Sequence, residues 1–218
     1  MSQHSNSNNI WTGALLAGSL LTLLCQVVVA DSSWQKETES SDGISVYSRS
    51  TPNTNIKQVR AVITINAPPE VVLNAASAPE TYRETTKKYV EKNIFNHTGK
   101  NNTWYNYQLV NYPFIDKRDY CLRYDKYINP EKGIFRLTWQ TSNQNAPPPS
   151  ESVIRVTNIK GQIDISPDKD GNSSTLRYTI LADPGGSIPT WIINLANRKS
   201  LPDILRQIRD ASEKISKK

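Results

Sequence analysis

Two histidines and two cysteines in 218 residues leave this chain short of the groups that bind metals and carry nucleophilic chemistry. Beyond residue 30 one of each remains, His97 and Cys121. One imidazole and one thiol make no zinc site unless acids cluster with them, and the sequence has no such cluster. A single remaining cysteine also forbids an internal disulfide, so an oxidising compartment is permitted but not exploited. His97 falls in the turn-like stretch Asn96-His97-Thr98-Gly99 and reads as a surface histidine; Cys121 reads as a partly buried thiol. There is no Gly-x-Ser-x-Gly elbow and no glycine-rich phosphate loop, so the usual hydrolase and nucleotide signatures are missing.

Charge is absent from the first 30 residues, which hold no Lys, Arg, Asp or Glu. Within them Gly13 to Ala30 is apolar, and Val28-Val29-Ala30 puts small residues where signal peptidase reads. Residues 1–30 are therefore expected to be a signal peptide, and residues 31–218 one exported domain, periplasmic or secreted. The leader has no Lys or Arg ahead of its apolar run, only His4. The alternative is a membrane anchor over residues 13–30, since that run just reaches spanning length. All 26 basic and 20 acidic residues lie beyond it, giving +6. Only the tail Lys214, Lys217, Lys218 forms a block. Charge spread in this way suits a solvated surface, with transient contact to an anionic membrane as its functional alternative. The basic residues are not interleaved with aromatics in one stripe, so a nucleic-acid partner is not expected.

From Ile44 to Ala182 the pattern has mostly period two. Ile44–Arg49, Ile56–Asn66, Tyr89–Asn96, Asn102–Asn111, Arg118–Asn129, Gly133–Thr141, Ser152–Asn158, Gly161–Ser166 and Ser174–Ala182 read as strands, separated by turn signals such as Asp42-Gly43 and Asn129 to Gly133. The short spacing argues for antiparallel neighbours. Asp31–Ser40 is polar and reads as a helix turn docking Trp34. Pro69 opens a helix through Ala76, and a second helical turn follows from Pro79. Asn143–Ser150 is too rich in proline for a strand.

The long helical stretch is at the C-terminus. Ile188, Trp191, Ile192, Leu195 and Ala196, then Leu201, Ile204, Leu205, Ile208, Ala211 and Ile215, mark an apolar stripe. Asn194, Asn197, Arg198, Arg206, Arg209 and Lys214 are expected to meet water. Ser200-Leu201-Pro202-Asp203 reads as a capping box, so two helical segments are expected, about 188–199 and 201–216, with a kink between them. The fold class is α+β: a curved antiparallel sheet of about nine strands around a kinked C-terminal helix.

Four passages, in order, resemble the START family of lipid-transfer domains. They are Trp34 with Asp42-Gly43-Ile44-Ser45-Val46-Tyr47-Ser48-Arg49, then Pro113-Phe114-Ile115-Asp116-Lys117-Arg118-Asp119-Tyr120, then the proline-rich loop with Val153-Ile154-Arg155-Val156, and last Asp183-Pro184-Gly185-Gly186-Ser187-Ile188-Pro189-Thr190-Trp191. Together they span about residues 34–212. The resemblance implies a helix-grip fold (START/Bet v 1-like), a bacterial-type single-domain secreted member, and a hydrophobic tunnel between sheet and helix that binds or moves a lipid. It implies no cofactor. In sterol-binding relatives a buried acid and arginine flank the Arg-Asp passage. The matching positions here fall at Tyr105 and Tyr124, which argues against a sterol.

Strand alternation sorts the expected ligand wall. It takes Tyr105 and Tyr107 with Thr103 and Leu109, then Tyr120, Leu122 and Tyr124, then Phe135, Leu137 and Trp139, and Tyr178 with Leu176 and Ile180. The helix adds Trp191, Ile192, Leu195, Leu205 and Ile208. Phenols and indoles offer apolar area with a few polar tips, suited to an amphipathic ligand. Plain core packing accounts for the same residues without a cavity. Arg118-Asp119 reads as a structural ion pair, and Arg155 as either solvated or a head-group contact. The functional expectation is a monomeric carrier of a lipid or other hydrophobic small molecule. Against it stand an enzyme on the same fold, such as a cyclase or hydrolase of hydrophobic substrates, and a ligand-regulated interaction module. A ligand buried under the helix needs a gate, expected in the segment after Pro202 together with the 143–150 loop.

Overall fold

The computed structural model describes residues 33–97 and 102–217, so the expected leader lies outside the described residues. Among the described residues no helix is long and apolar enough to cross a membrane. The described residues begin with three antiparallel strands, β1 (Gln35–Glu39), β2 (Ser45–Thr51) and β3 (Thr54–Ile65). β1 replaces the expected helix turn. Its charged, largely exposed residues pair with β2, and Trp34 just before it lies under two guanidiniums, Arg49 at 4.6 Å and Arg60 at 4.1 Å.

Helix α1 (Pro69–Ser77) follows, with Pro69 at its first turn where the missing N–H costs no bond. It buries Val72, Leu73, Ala75 and Ala76. A 3₁₀ turn (Pro79–Tyr82) and α2 (Arg83–Tyr89) lead to β4 (Val90–His97), β5 (Thr103–Val110), β6 (Lys117–Asn129) and β7 (Ile134–Thr141). Then come β8 (Val153–Arg155), β9 (Asn158–Pro167), β10 (Ser174–Asp183) and α3 (Thr190–Ser216). The sheet order is β1-β2-β3-β10-β9-β7-β6-β5-β4.

β8 departs from the meander expected of Ser152–Asn158. It has three residues and runs parallel to the start of β6, Lys117 opposite Val153 and Asp119 opposite Arg155. The proline loop before it carries the chain back across the molecule, so it returns in the direction of β6. Side chains pin that loop. Asn143 accepts from Cys121 N–H at 3.0 Å and donates to Val156 O at 2.7 Å, and Arg155 donates to Pro147 O at 2.8 Å.

α3 also differs from expectation. It runs unbroken for 27 residues with Pro202 inside it. Ser200 does not cap a second segment; its Oγ donates to Asn197 O at 3.4 Å, while the Asp203 carboxylate accepts from Arg206. Proline forfeits one helical bond, to the Arg198 carbonyl. The adjoining Leu201 and Leu205, 1% and 0% exposed, hold the helix on course.

Leu201, Leu205 and Ile208 share one core with the inner-face residues Ile63, Leu122, Leu137, Trp139, Ile163 and Leu176. Each such buried side chain contributes about 1.5–3 kcal/mol of burial. The polar side of α3 is not free in water. Arg198 pairs with Glu37 of β1; Arg206 and Arg209 converge on Asp42 at 2.9 and 3.1 Å. Asn194 accepts from Lys57 N–H at 2.9 Å and donates to Asn55 O; Asn197 donates to Ala182 O. Of the residues expected to meet water, Lys214 is the one left exposed.

Candidate ligand chamber between sheet and helix

Cross-strand register decides which strand faces look at α3. On β6 the inner set is Tyr120, Leu122 and Tyr124, as alternation suggested. Opposite them on β5 stand Gln108, Asn106 and Trp104. Residues directly across an antiparallel pair share a face, so the inner set of β5 is Trp104, Asn106 and Gln108. Tyr105 and Tyr107, expected in the wall, lie on the other face opposite Arg123 and Cys121. Tyr107 is buried there, its hydroxyl donating to Asp119 at 3.0 Å. Tyr105 and Tyr124 therefore do not face one another across the sheet.

Phe135, Leu137 and Trp139 of β7 and Tyr178 of β10 lie on the inner face, as expected. Their rings form a chain across the sheet. Trp104 stacks on Tyr124 with centroids 5.3 Å apart, Tyr124 on Trp139 at 6.0 Å, and Trp139 tilts against Tyr178 at 5.0 Å. β9 separates β7 from β10, and the chain crosses it above Gly161. A Cβ at Gly161 would sit 2.3 Å from the Trp139 ring, so only glycine leaves the indole room to reach Tyr178.

Four phenols give the space its character. Tyr82, Tyr120, Tyr124 and Tyr178 each keep accessible surface, yet burial pushes every one of their hydroxyl pKa values well above the usual tyrosine range. All four therefore sit in the space between sheet and helix, partly accessible and away from bulk water. Tyr82 donates to Ala76 O and Tyr120 to Gln108, both at 2.7 Å. The Tyr124 and Tyr178 hydroxyls have no hydrogen-bond partner among the described residues, and neither has the buried Asn106 Oδ1. Buried polar atoms usually find a partner. The chamber thus has aromatic walls and a few unspent polar tips.

From α3, Leu205 and Ile208 close the chamber, and Leu195 is half-buried. Trp191 and Ile192 do not belong to it: they are 68% and 40% exposed, and Ile193 is the buried residue, packed with Ile56 and Leu181. Tyr82, Trp104, Asn106 and Gln108 were missed from sequence. Tyr82 sits outside any strand, and the β5 residues lost to the alternate aromatic set.

Arg118 and Asp119 form no pair, because successive strand residues point to opposite faces. Asp119 takes a two-pronged bond from Arg155, at 2.6 and 2.8 Å, so Arg155 is neither solvated nor a head-group contact. Cys121 lies in the same outer cluster, its thiol pushed up by burial and partly offset by Arg155. Among the described residues no group of three or more metal-ligating side chains occurs.

The chain is similar to known proteins in sequence and in fold. Human phosphatidylcholine transfer protein is 27% identical over 198 residues, covering 89% of this chain and 91% of that protein. The mouse protein of the same name is 32% identical over 116 residues, about half of each chain. Among solved structures, a STAR-related lipid transfer protein from Xanthomonas axonopodis superposes with a TM-score of 0.70 at 19% identity, covering 83% of this chain and 98% of that one. Human STARD10 gives the same TM-score at 16% identity, covering 87% and 76%. These two support the fold, an antiparallel sheet gripping a C-terminal helix. The START domain model matches residues 19–218, all but the first 18 positions, and on that match the chain belongs to the START domain family.

Proposed function

We propose that this protein binds a single lipid in the chamber under α3 and carries it between membranes. The observation that carries this reading is the set of desolvated yet accessible phenols beside an unbroken row of stacked rings. A core with no ligand would leave neither accessible inner surface nor unpaired Tyr124, Tyr178 and Asn106 tips. The relatives named for phosphatidylcholine transfer favour a phospholipid cargo. The ring row favours the same class, since indole and phenol faces attract a quaternary ammonium. The rest of the reading is an exported monomer that touches membranes briefly.

Purified full-length chain extracted with organic solvent should release a lipid visible by mass spectrometry. Tyr124→Ala should weaken binding of a fluorescent phosphatidylcholine while circular dichroism stays unchanged. Unchanged binding with a lowered melting temperature would make these rings plain core. An empty chamber with turnover of an activated ester would favour an enzyme instead.

A further inference from the structure

The outer face of the sheet, turned away from α3, carries a group of unpaired cations. On β2, β3 and β10 alternation buries Val46 and Ser48, Val59 and Ala61, and Leu176 on the inner side, and so sends Arg49, Arg60 and Arg177 to the other face. Register then brings the three together. Arg49 stands opposite Gln58, two residues before Arg60, and Arg177 stands opposite Val62, two residues after it. Arg60 thus has an arginine on either side, each at about the 7–8 Å of diagonal cross-strand neighbours.

Each guanidinium is anchored by a neutral partner. Arg49 Nε donates to Gln58 Oε1 at 2.8 Å, Arg60 Nε to Thr179 Oγ1 at 3.1 Å, and one terminal nitrogen of Arg177 to Ser166 Oγ at 3.1 Å. The Trp34 ring packs against the first two guanidiniums. Among the described residues no carboxylate forms an ion pair with any of the three. Asp164 of β9 stands opposite Arg177, yet it accepts from Arg136 and Gln162 instead, at 2.5 and 2.6 Å. Burial, then repulsion from Arg49 and Arg177, lowers the Arg60 pKa, and Asp164 offsets this only in part. A face that needed only to be wet would mix the two signs of charge. It also lacks the apolar side chains that enter a membrane: among the described residues, none of the exposed large hydrophobic ones lies on β1, β2, β3, β9 or β10.

We propose that Arg49, Arg60 and Arg177 form a binding site for the phosphoryl group of a soluble phosphate monoester. Guanidinium forks match phosphate oxygens two at a time. A monoester carries about −1.5 to −2 charge at pH 7, enough to cancel most of the repulsion among the three, whereas a diester or a single carboxylate brings one charge. The face is open, so it reads the phosphoryl group and leaves the rest of the molecule in water. None of these arginines belongs to the chamber wall, so the two sites can be tested separately.

The test is calorimetric titration of the full-length chain with glycerol 3-phosphate, dimethyl phosphate and succinate. Glycerol 3-phosphate should bind saturably and about tenfold more tightly than either of the others. Arg60→Gln should weaken that binding about tenfold or more, and Arg60→Lys, which keeps the charge but loses the fork, should restore only part of it. Arg177→Gln repeats the test at the neighbouring strand, with melting temperature confirming that each variant is folded. Absence of saturable binding, equal affinity for dimethyl phosphate or succinate, or wild-type affinity in both Gln variants overturns the proposal. Binding to phosphatidic acid vesicles by a chain that ignores glycerol 3-phosphate overturns it too, because the face would then be a lipid contact.

Discussion

Residues 190–200 and 201–216 belong to one helix, yet they are held to the sheet by different forces. The second half buries Leu201, Leu205, Ile208 and Ser212. The first half buries only Ile193 and is otherwise tied by hydrogen bonds and an ion pair, through Asn194, Asn197 and Arg198. Water can replace such polar contacts at small net cost, about 0.5–1.5 kcal/mol each, whereas nothing replaces a buried leucine. Packing thus opposes a gate after Pro202 and favours the first half, residues 190–200, as the part that lifts. The other expected gate, the 143–150 loop, is fastened by Asn143 and Arg155.

The largest difference should appear on truncating one apolar side chain in each half. Leu205→Ala should cost about 2–5 kcal/mol in urea unfolding, and Trp191→Ala less than about 0.5 kcal/mol. Similar losses at both would mean the halves are packed alike. Next comes the joint. Pro202→Ala returns a donor to the Arg198 carbonyl and should raise stability by about 1–2 kcal/mol, with hydrogen exchange slowing mainly in 190–200. Slowing confined to 201–216 would place the loose half where the sequence first suggested.

Asn194→Ala tests the polar half directly. It leaves the Lys57 N–H without its acceptor and should cost about 1 kcal/mol, with faster exchange at residues 190–197. The smallest effect is acid-dependent. Hydrogen bonds from Arg206, then Ser40 and Arg209, hold the Asp42 carboxyl well below the usual carboxylate range. A depressed pKa stabilises the fold fully above the unfolded value, about 3.9, and the contribution fades as pH falls through the folded one. Melting temperature should therefore decline below about pH 4, less steeply in Asp42→Asn. An identical acid limb in the variant would make the Asp42 contacts incidental.

The sheet, the C-terminal helix and most inner faces were legible because burial leaves a period in the sequence. On β6, Tyr120, Leu122 and Tyr124 alternate with Asp119, Cys121 and Arg123, so the apolar side names itself. β5 offers no such contrast: Trp104 competes with Tyr105 and Tyr107. Only pairing with β6 shows that Trp104 is inside. The start of α3 misled for the opposite reason. Asn194, Asn197 and Arg198 look like a wet face, but they bond β3, β10 and β1, which turns Trp191 and Ile192 outward. The parallel β8 depends on where a proline loop lands, which no local pattern encodes.

The bare backbone at Gly161 makes the girth of the chamber a single-residue variable. Even one added carbon there would meet the indole of Trp139 at 2.3 Å and the Thr179 carbonyl at 2.8 Å. The carbonyl is fixed in the sheet, so the indole must give way, swinging off Tyr178 and into the room left for cargo. Selectivity for thick or thin ligands is then adjustable from the middle of a strand, far from any loop or head-group contact. A graded series of side chains at this position would work as a caliper, reading out how much of the chamber a given lipid fills.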